Sequence, residues 1–501
     1  MIARTLLVRA DASVSVGTGH AMRCLALAQA WQDAGGRAVF AMTESTSSIQ
    51  ARLASETCTV VSFSALAGTR DDANQTIVLA REQQAEWVVV DGYQFGADYQ
   101  RALKGAGLRV LFLDDYRHAR HYSADLVLNQ NVGASAAIYE DREAQTRLLL
   151  GPRYALLRRE FAAWRQWNRE ILSSCHRVLV MMGGSDPENL TARAIEALAL
   201  GRVDGLEVTV IVGGSSPHLA AINLSAARSG LSIKVQKDAS NTAEFMAAAD
   251  VAISAAGSTC WELCLLGLPA LLVDVASNQT ALAKELDRRG CAVHAGDRTV
   301  SIGQLAAQLQ RLIGSRELRQ SLSSRSRELV DGNGARRVAS VLRGTEGWQL
   351  RRVRADDREL LWEWANDPEV RAASFSSAPI PWETHVSWFA ERFGQGRCLM
   401  LIAEDEKGSP FGQIRFDFKN NGEAELNISL VRESRGCGLG VRVIEAGVRE
   451  LFATVDCLRV NAFVKPENEA SARAFEQADF VRVGMERVRG NDAVHYVYRR
   501  N

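Results

Sequence analysis

RADASVSVGTGHAMRCLALA, residues 9–28, follows a short apolar run at 5–8 and sets Gly17 and Gly19 directly before His20 and a helical pattern opening with Met22 and Arg23. Glycines let the backbone pass close to a ligand, and the first turn of the following helix offers unpaired N–H groups to negative charge. A titratable imidazole is thereby set where an anionic substrate would dock. Strand, glycine turn and helix form the first step of a parallel, doubly wound sheet.

The pattern extends outward. Apolar runs at 38–41, 59–63, 87–90, 109–113 and 126–128 alternate with amphipathic segments such as 24–34, the signature of a parallel sheet covered on both faces. A second series runs through 177–182, 207–212, 232–235, 251–254 and 270–273, with the turns GGSDP, GGSSP, SAAGST and DVASNQ at its strand ends. Ligands bind beyond the carboxyl ends of such strands, so these turns mark one rim of a cleft. The joint falls near Gly151 and Pro152, giving Rossmann-like halves at 1–150 and 151–345, a GT-B-like pair. After the linker GTEGWQL a different unit, 348–501, begins. It reads as a strand (350–353), helices at 357–365 and 382–393, and strands at 398–403, 411–418 and 424–431. A glycine-rich turn, a helix to about 452, a strand (458–464), a helix (470–477) and two closing strands follow. That mixed order is α+β. The expected fold class is α/β: two Rossmann-like domains followed by an α+β domain.

Composition narrows the class. Among 501 residues, Lys plus Arg and Asp plus Glu both number 59, and the balance carries no nucleic-acid footprint. Nine scattered cysteines without a CxxC pair suit reduced thiols in a cytoplasm. The opening run MIARTLLVRADAS is broken by Arg9 and Asp11, and no later window reaches membrane-spanning length, so no membrane insertion is expected. Oligomeric state is left open.

GTGHAMRCLALA together with MMGGSDP and ISAAGSTCWELCLLGLPALLVDVASNQ resembles the UDP-2,4-diacetamido-2,4,6-trideoxy-β-L-altropyranose hydrolases of pseudaminic acid biosynthesis, themselves similar to lipid-II-forming glycosyltransferases of GT-B fold. The resemblance covers about residues 1–345. It implies hydrolysis of a UDP-linked 2,4,6-trideoxy amino-sugar with His20 as the catalytic base. An imidazole of ordinary pKa is largely neutral at pH 7, and attack opposite UDP inverts the anomeric centre. Gly183, Gly184, Ser185 and Asp186 would cradle the diphosphate, with Pro187 at the first helical position and Asp186 also capping. Gly257, Ser258 and Thr259 form a second anion site, and Glu262 lies where such enzymes bind the ribose hydroxyls. Asn278 and Gln279 match the family's NQ pair, with helix capping as the plain alternative for Asn278. Asp11, Gly17, Gly19, Arg23 and Tyr93 complete the expected substrate contacts, Arg23 either offsetting phosphate or pairing with Asp11. Asp91 also ends a strand, and the pair Asp114 and Asp115 reads as structural. No metal is expected: His118 and His121 lack a helix to align them, and Cys260 and Cys264 read as core residues.

In the last unit, ESRGCGLGVRVIEAGVREL with PENEASARAFEQADF downstream resembles the GNAT acetyltransferases over about residues 348–501. Acetyl-CoA is the implied cosubstrate, its pyrophosphate held by Arg435, Gly436, Gly438, Leu439 and Gly440, with Asn468 and Ser471 contacting it or capping a helix. Phe475 stands where many members have a thiolate-protonating Tyr. Glu425 is the candidate base for the amine, and Trp362, Trp364, Trp382, Trp388 and Phe389 read as core or as an acceptor pocket. The two units together suggest consecutive steps, N-acetylation of a 4-amino UDP-sugar followed by hydrolysis. The alternatives are a GT-B glycosyltransferase, joined to a protein N-terminal or other acyltransferase or to a non-catalytic acyl-CoA-binding module.

Overall fold

Apolar runs close up into three sheets in the computed structural model, which describes every residue except 1–3, 14, 15, 204, 240, 346, 406, 407, 420, 421, 437, 500 and 501, and the side chain of Ser277. The chain divides into two units, Arg4–Ala339 and Ser340 onward. The first unit contains two sheets. One holds β1 (Thr5–Ala10), β2 (Arg37–Met42), β3 (Thr59–Ser62), β4 (Ala85–Asp91), β5 (Val110–Leu113), β6 (Leu126–Asn129) and β7 (Arg147–Leu150) in the order β3-β2-β1-β4-β5-β6-β7. Every adjacent pair is parallel. The other holds β8 (Arg177–Met181), β9 (Glu207–Val212), β10 (Ser232–Lys237), β11 (Val251–Ala255), β12 (Ala270–Asp274) and β13 (Val293–Asp297) in the order β10-β9-β8-β11-β12-β13, also parallel throughout.

Both orders reverse direction once, between β1 and β4 and between β8 and β11. A crevice opens at such a reversal because the connections on its two sides run to opposite faces of the sheet. The glycine turn before His20 follows β1, and Asp91 ends β4. GGSDP follows β8, and the Gly257–Thr259 turn follows β11. Sheet order alone thus brings the four motifs to the two switch points.

The second unit has β14 (Trp348–Arg352), β15 (Cys398–Asp405), β16 (Pro410–Phe418), β17 (Glu423–Leu430), β18 (Arg459–Val464), β19 (Val481–Val488) and β20 (Asn491–Arg499), ordered β14-β15-β16-β17-β18-β20-β19. All pairs are antiparallel except β17 with β18, which stay paired only from Glu423–Arg459 to Glu425–Asn461. Beyond Glu425 these two strands part. Helices Leu439–Thr454 and Glu469–Gln477 cover one face, their apolar sides packed with Leu426, Val460 and Tyr496 in a single core. The fold class is therefore as the sequence implied, two Rossmann-like sheets followed by an α+β unit.

Candidate functional site

His20 lies in the first turn of helix Gly19–Asp33, whose N-terminus has no side-chain cap and no acidic residue in its first turn. Its Nδ1 is 2.7 Å from Asp91 Oδ1. Asp91 is fully buried. Burial by itself would raise its carboxyl, but the Arg23 guanidinium and the imidazole hold it well below the usual carboxylate range. An ionised carboxylate only accepts, so Nδ1 carries a proton and Nε2 is the nitrogen left to take one up. That is the tautomer a general base requires.

Arg23 fixes the same carboxylate. Its Nε donates to Asp91 Oδ2 and its Nη2 to Asp91 Oδ1, both at 2.7 Å, and its Nη1 reaches Asp115 Oδ1 at 2.7 Å. Arg23 therefore pairs with Asp91 and Asp115 rather than with Asp11. Asp11 is tied to Arg9 at 2.8 Å and to the backbone N–H of Thr43 at 2.7 Å, and its second oxygen receives Gln94 at 3.2 Å. Its acceptor sites serve the frame of the strand ends. Tyr93 donates to Asp115 Oδ2 at 2.8 Å and stands edge-on to the imidazole, ring centroids 4.9 Å apart. Burial and the Asp115 carboxylate push its phenol upward, so it remains a donor. The two acids expected to be structural separate. Asp114 is a hub for His118, Tyr122 and nearby N–H groups, whereas Asp115 belongs to the His20 network.

The second sheet faces this cluster. A Cβ on Gly184 would lie 2.2 Å from Thr18 Oγ1, so the GGSDP turn fits against the glycine loop only with hydrogen at that position. Gly19 approaches Ser258 Oγ at 3.7 Å and Gly257 approaches Gln279 Nε2 at 3.6 Å, distances from ideal Cβ positions. Asn278 Nδ2 donates to Tyr93 Oη at 2.6 Å, while the N-cap of the following helix is Gln279. Gly183 takes φ +84°, as its position in the turn requires. Pro187 does not open the next helix. Helix Leu190–Leu200 begins later, because Asp186 and Asn189 adopt left-handed φ of 43° and 53° and Asp186 accepts the N–H groups of Leu190 and Thr191. Burial raises the Asp186 carboxyl despite these donors. Ser185, also buried, completes the turn. Glu262 is half-buried, its carboxyl raised by burial against the pull of Arg158, which binds it at 2.8 Å.

In the acetyltransferase-like unit, Gly436 and Gly438 have φ of +74° and +77°, and Gly438 is the N-cap of helix Leu439–Thr454. No side chain caps that helix and no acid lies in its first turn, which includes Leu439 and Gly440. The Arg435 side chain is engaged by the Leu430 carbonyl, Asp367 and Glu369, and so braces the loop. Cys437 lies outside the described residues. Asn468 caps helix Glu469–Gln477 through the Ser471 N–H at 3.1 Å. Phe475 is buried against Phe480 and Tyr496. Glu425 occupies the last paired position before β17 and β18 part and pairs with Lys419 at 2.8 Å. A cavity of ≈ 370 Å³ lies beside the end of β17, walled by Glu363, Trp364, Asp367, Leu430, Glu433 and Arg435. Of the aromatic cluster, Trp364 borders this cavity and also packs, like Trp388, against Leu361, Phe389 and Met400. Cys260 and Cys264 are core residues, the Cys260 thiol pushed up to about 12 by burial. Among the described residues no group of three or more His, Cys, Asp or Glu is placed to hold a metal ion, and no helix is long and apolar enough to cross a membrane.

Asp91 is the residue that sequence reasoning left without a role. Its signal was an acid closing the buried run WVVVD, and its significance required knowing that β4 lies next to β1.

Residues 178–339 match the glycosyltransferase family 28 C-terminal domain, and residues 349–481 match the acetyltransferase (GNAT) domain. Uncharacterized protein MJ1062 of Methanocaldococcus jannaschii is 23% identical over 443 residues, 83% of this chain and 84% of that protein. A UDP-N-acetylglucosamine--N-acetylmuramyl-(pentapeptide) pyrophosphoryl-undecaprenol N-acetylglucosamine transferase of Sorangium cellulosum is 31% identical over 193 residues, 37% of this chain and 47% of the transferase. Spore coat polysaccharide biosynthesis protein SpsG of Bacillus subtilis is 31% identical over 236 residues, 46% of this chain and 68% of SpsG. The chain is an enzyme that joins a glycosyltransferase-28-like domain to a GNAT acetyltransferase domain, and it belongs to the family of the spore coat polysaccharide biosynthesis protein SpsG.

Proposed function

We propose that the unit Arg4–Ala339 hydrolyses a UDP-linked 2,4-diacetamido-2,4,6-trideoxy sugar to UDP and free sugar, and that the GNAT domain supplies its substrate by acetylating the 4-amino precursor with acetyl-CoA. The observation that carries the first step is the Asp91–His20 pair at 2.7 Å, set at one switch point and facing the anion-binding turns of the other sheet. Water gives a proton to His20 Nε2 as its oxygen bonds to the anomeric carbon, and the bond to the β-phosphate oxygen breaks with its electron pair leaving on UDP. Asp91 stabilises the imidazolium so formed. Gly183, Gly184, Ser185 and the Gly257–Thr259 turn hold the diphosphate through backbone N–H groups, and Glu262 accepts the ribose hydroxyls. The name of the Sorangium cellulosum relative contains a UDP-sugar, in keeping with this donor class.

For the acetyl step, the edges that β17 and β18 expose beyond Glu425 suit the amide-bearing arm of acetyl-CoA, and the turn at Gly436–Gly440 suits its pyrophosphate. Glu425, at the split, takes the proton of the attacking amine, whose nitrogen bonds to the acetyl carbon as the thiolate of CoA leaves. The family 28 match favours a second function for the first unit, in which His20 deprotonates an acceptor hydroxyl instead of water.

The test is incubation of the full chain with UDP-2-acetamido-4-amino-2,4,6-trideoxy-β-L-altropyranose, with and without acetyl-CoA, followed by NMR. Acetyl-CoA-dependent release of UDP and a free diacetamido sugar is expected. Absence of UDP release from the acetylated nucleotide overturns the hydrolase.

A further inference from the structure

Tyr93 is held from both halves of the cleft. Its hydroxyl has a single proton, which it donates to Asp115 Oδ2 at 2.8 Å, and its lone pair receives Asn278 Nδ2 at 2.6 Å from the turn after β12 of the other sheet. From there the chain of contacts is unbroken. Asp115 Oδ1 accepts from Arg23 Nη1, Arg23 Nε and Nη2 donate to Asp91, and Asp91 accepts from His20 Nδ1, each at 2.7 Å. The Tyr93 ring also abuts the imidazole edge-on. Further contacts also join the halves, among them Gly184 against Thr18 and the Ser48 hydroxyl on Asp238 at 2.8 Å. Neither shares a hydrogen bond with the His20 network.

We infer that the Asn278–Tyr93 hydrogen bond is a latch that couples closure of the two sheets to the placement of His20, so that Asn278 and Tyr93 are positioning residues for the base. This rests on the hydrolase function proposed above. When the halves part, Tyr93 loses its cross-cleft donor and its hydroxyl is held only by Asp115. The edge contact that limits rotation of the imidazole then loosens, and Asp115 is freer to release Arg23 from its bidentate grip on Asp91. When they close, one donor from the nucleotide-binding half sets the ring, the guanidinium and the imidazole together. Base placement thereby follows closure around the nucleotide, and a reacting geometry is assembled only in the closed cleft.

The test compares Asn278→Ala, Tyr93→Phe and the double variant in the full chain, by steady-state UDP release from UDP-2,4-diacetamido-2,4,6-trideoxy-β-L-altropyranose and by hydrogen exchange without substrate. Each single variant should lose about tenfold in kcat while KM moves less than about twofold, and the double variant should be no slower than the slower single one. Exchange in residues 17–24 should rise in Asn278→Ala, although the substitution lies across the cleft. Losses that multiply in the double variant, or a raised KM with kcat intact in Asn278→Ala, overturn the latch and make Asn278 a substrate contact. Should the wild-type chain release no UDP, the hydrolase fails and the latch is judged by exchange alone. Unchanged exchange at 17–24 in both single variants then overturns it.

Discussion

Replacing Asp91 by Asn keeps the shape of the side chain and removes what makes it work. The carboxylate receives His20 Nδ1 and Arg23 Nη2 on Oδ1, each at 2.7 Å, and Arg23 Nε at 2.7 Å with Cys24 Sγ at 3.4 Å on Oδ2. An amide offers one acceptor oxygen and one donor nitrogen. With its oxygen toward His20, the amide N–H meets Arg23 Nε–H. With the amide reversed, it meets His20 and Nη2 instead. Either way a buried donor faces a donor, and the imidazolium formed on proton transfer loses its adjacent anion. Loss of that anion and of the fixed tautomer is worth about 10²–10⁴ in turnover, or about 3–5 kcal/mol of barrier. Arg23 retains Asp115, so the stability cost should stay near 2 kcal/mol, about that of one lost charged hydrogen bond. The assay is UDP release under saturating substrate at pH 7, with thermal unfolding and UDP binding measured on the same preparation. UDP affinity should be unchanged, since both Asp91 oxygens are already engaged by His20, Arg23 and Cys24. Turnover within about threefold of wild type in a folded Asp91→Asn protein refutes the assignment of Asp91 as the group that holds and charges the base.

Gly184→Ala should reduce UDP release about tenfold with little effect on unfolding of the free chain, because the new methyl would collide with Thr18 across the cleft, and Thr18→Ala in the same chain should restore it. Asp72→Ala should cost about 3–5 kcal/mol in urea unfolding, since it strips the fully buried Arg9 of its bidentate partner at 2.8 and 3.0 Å. On acidification, Asp91 and Asp114 are held below the ordinary carboxylate value in the fold, so the stability they contribute is complete above about pH 3.9 and is lost as pH falls below it toward their folded values. Asp186 and Glu262, raised by burial, act with the opposite sign and soften the loss at its upper end. The urea midpoint should therefore fall between pH 4 and pH 3, and a midpoint that rises over that interval contradicts the assigned ion pairs.

The strands could be read from the sequence because continuous apolar runs can be buried only in a sheet covered on both faces. The runs ending at Val90, Met182 and Ile253 are examples. Two strands were not read. Arg147–Leu150 is short, and Val293–Asp297 contains a glycine at φ +118° and is only partly buried, as an edge strand can be. Candidate ligand loops were legible for the same reason, since each follows a strand end. Their pairings were not. His20 and Asp91 are 71 residues apart and Arg23 and Asp115 are 92, distances closed by strand order rather than by any local spacing. The late start of helix Leu190–Leu200 was hidden because Pro187 suits a first helical turn, and the competing capture of the Leu190 and Thr191 N–H groups by Asp186 is visible only in three dimensions. Arg435 carried a phosphate-binding signature by position, yet its guanidinium is spent on Asp367 and Glu369, so the proposed anion contact falls to the backbone of the glycine turn.

The most direct measurement is a single-turnover release of UDP from the diacetamido nucleotide by the full chain in buffer containing no acceptor but water, run beside His20→Ala. The wild-type chain should release one UDP per active site, and His20→Ala should be slower by about 10²–10⁴. UDP that appears only once a sugar or lipid hydroxyl is supplied would contradict hydrolysis, and equal rates in the two proteins would contradict His20 as the base.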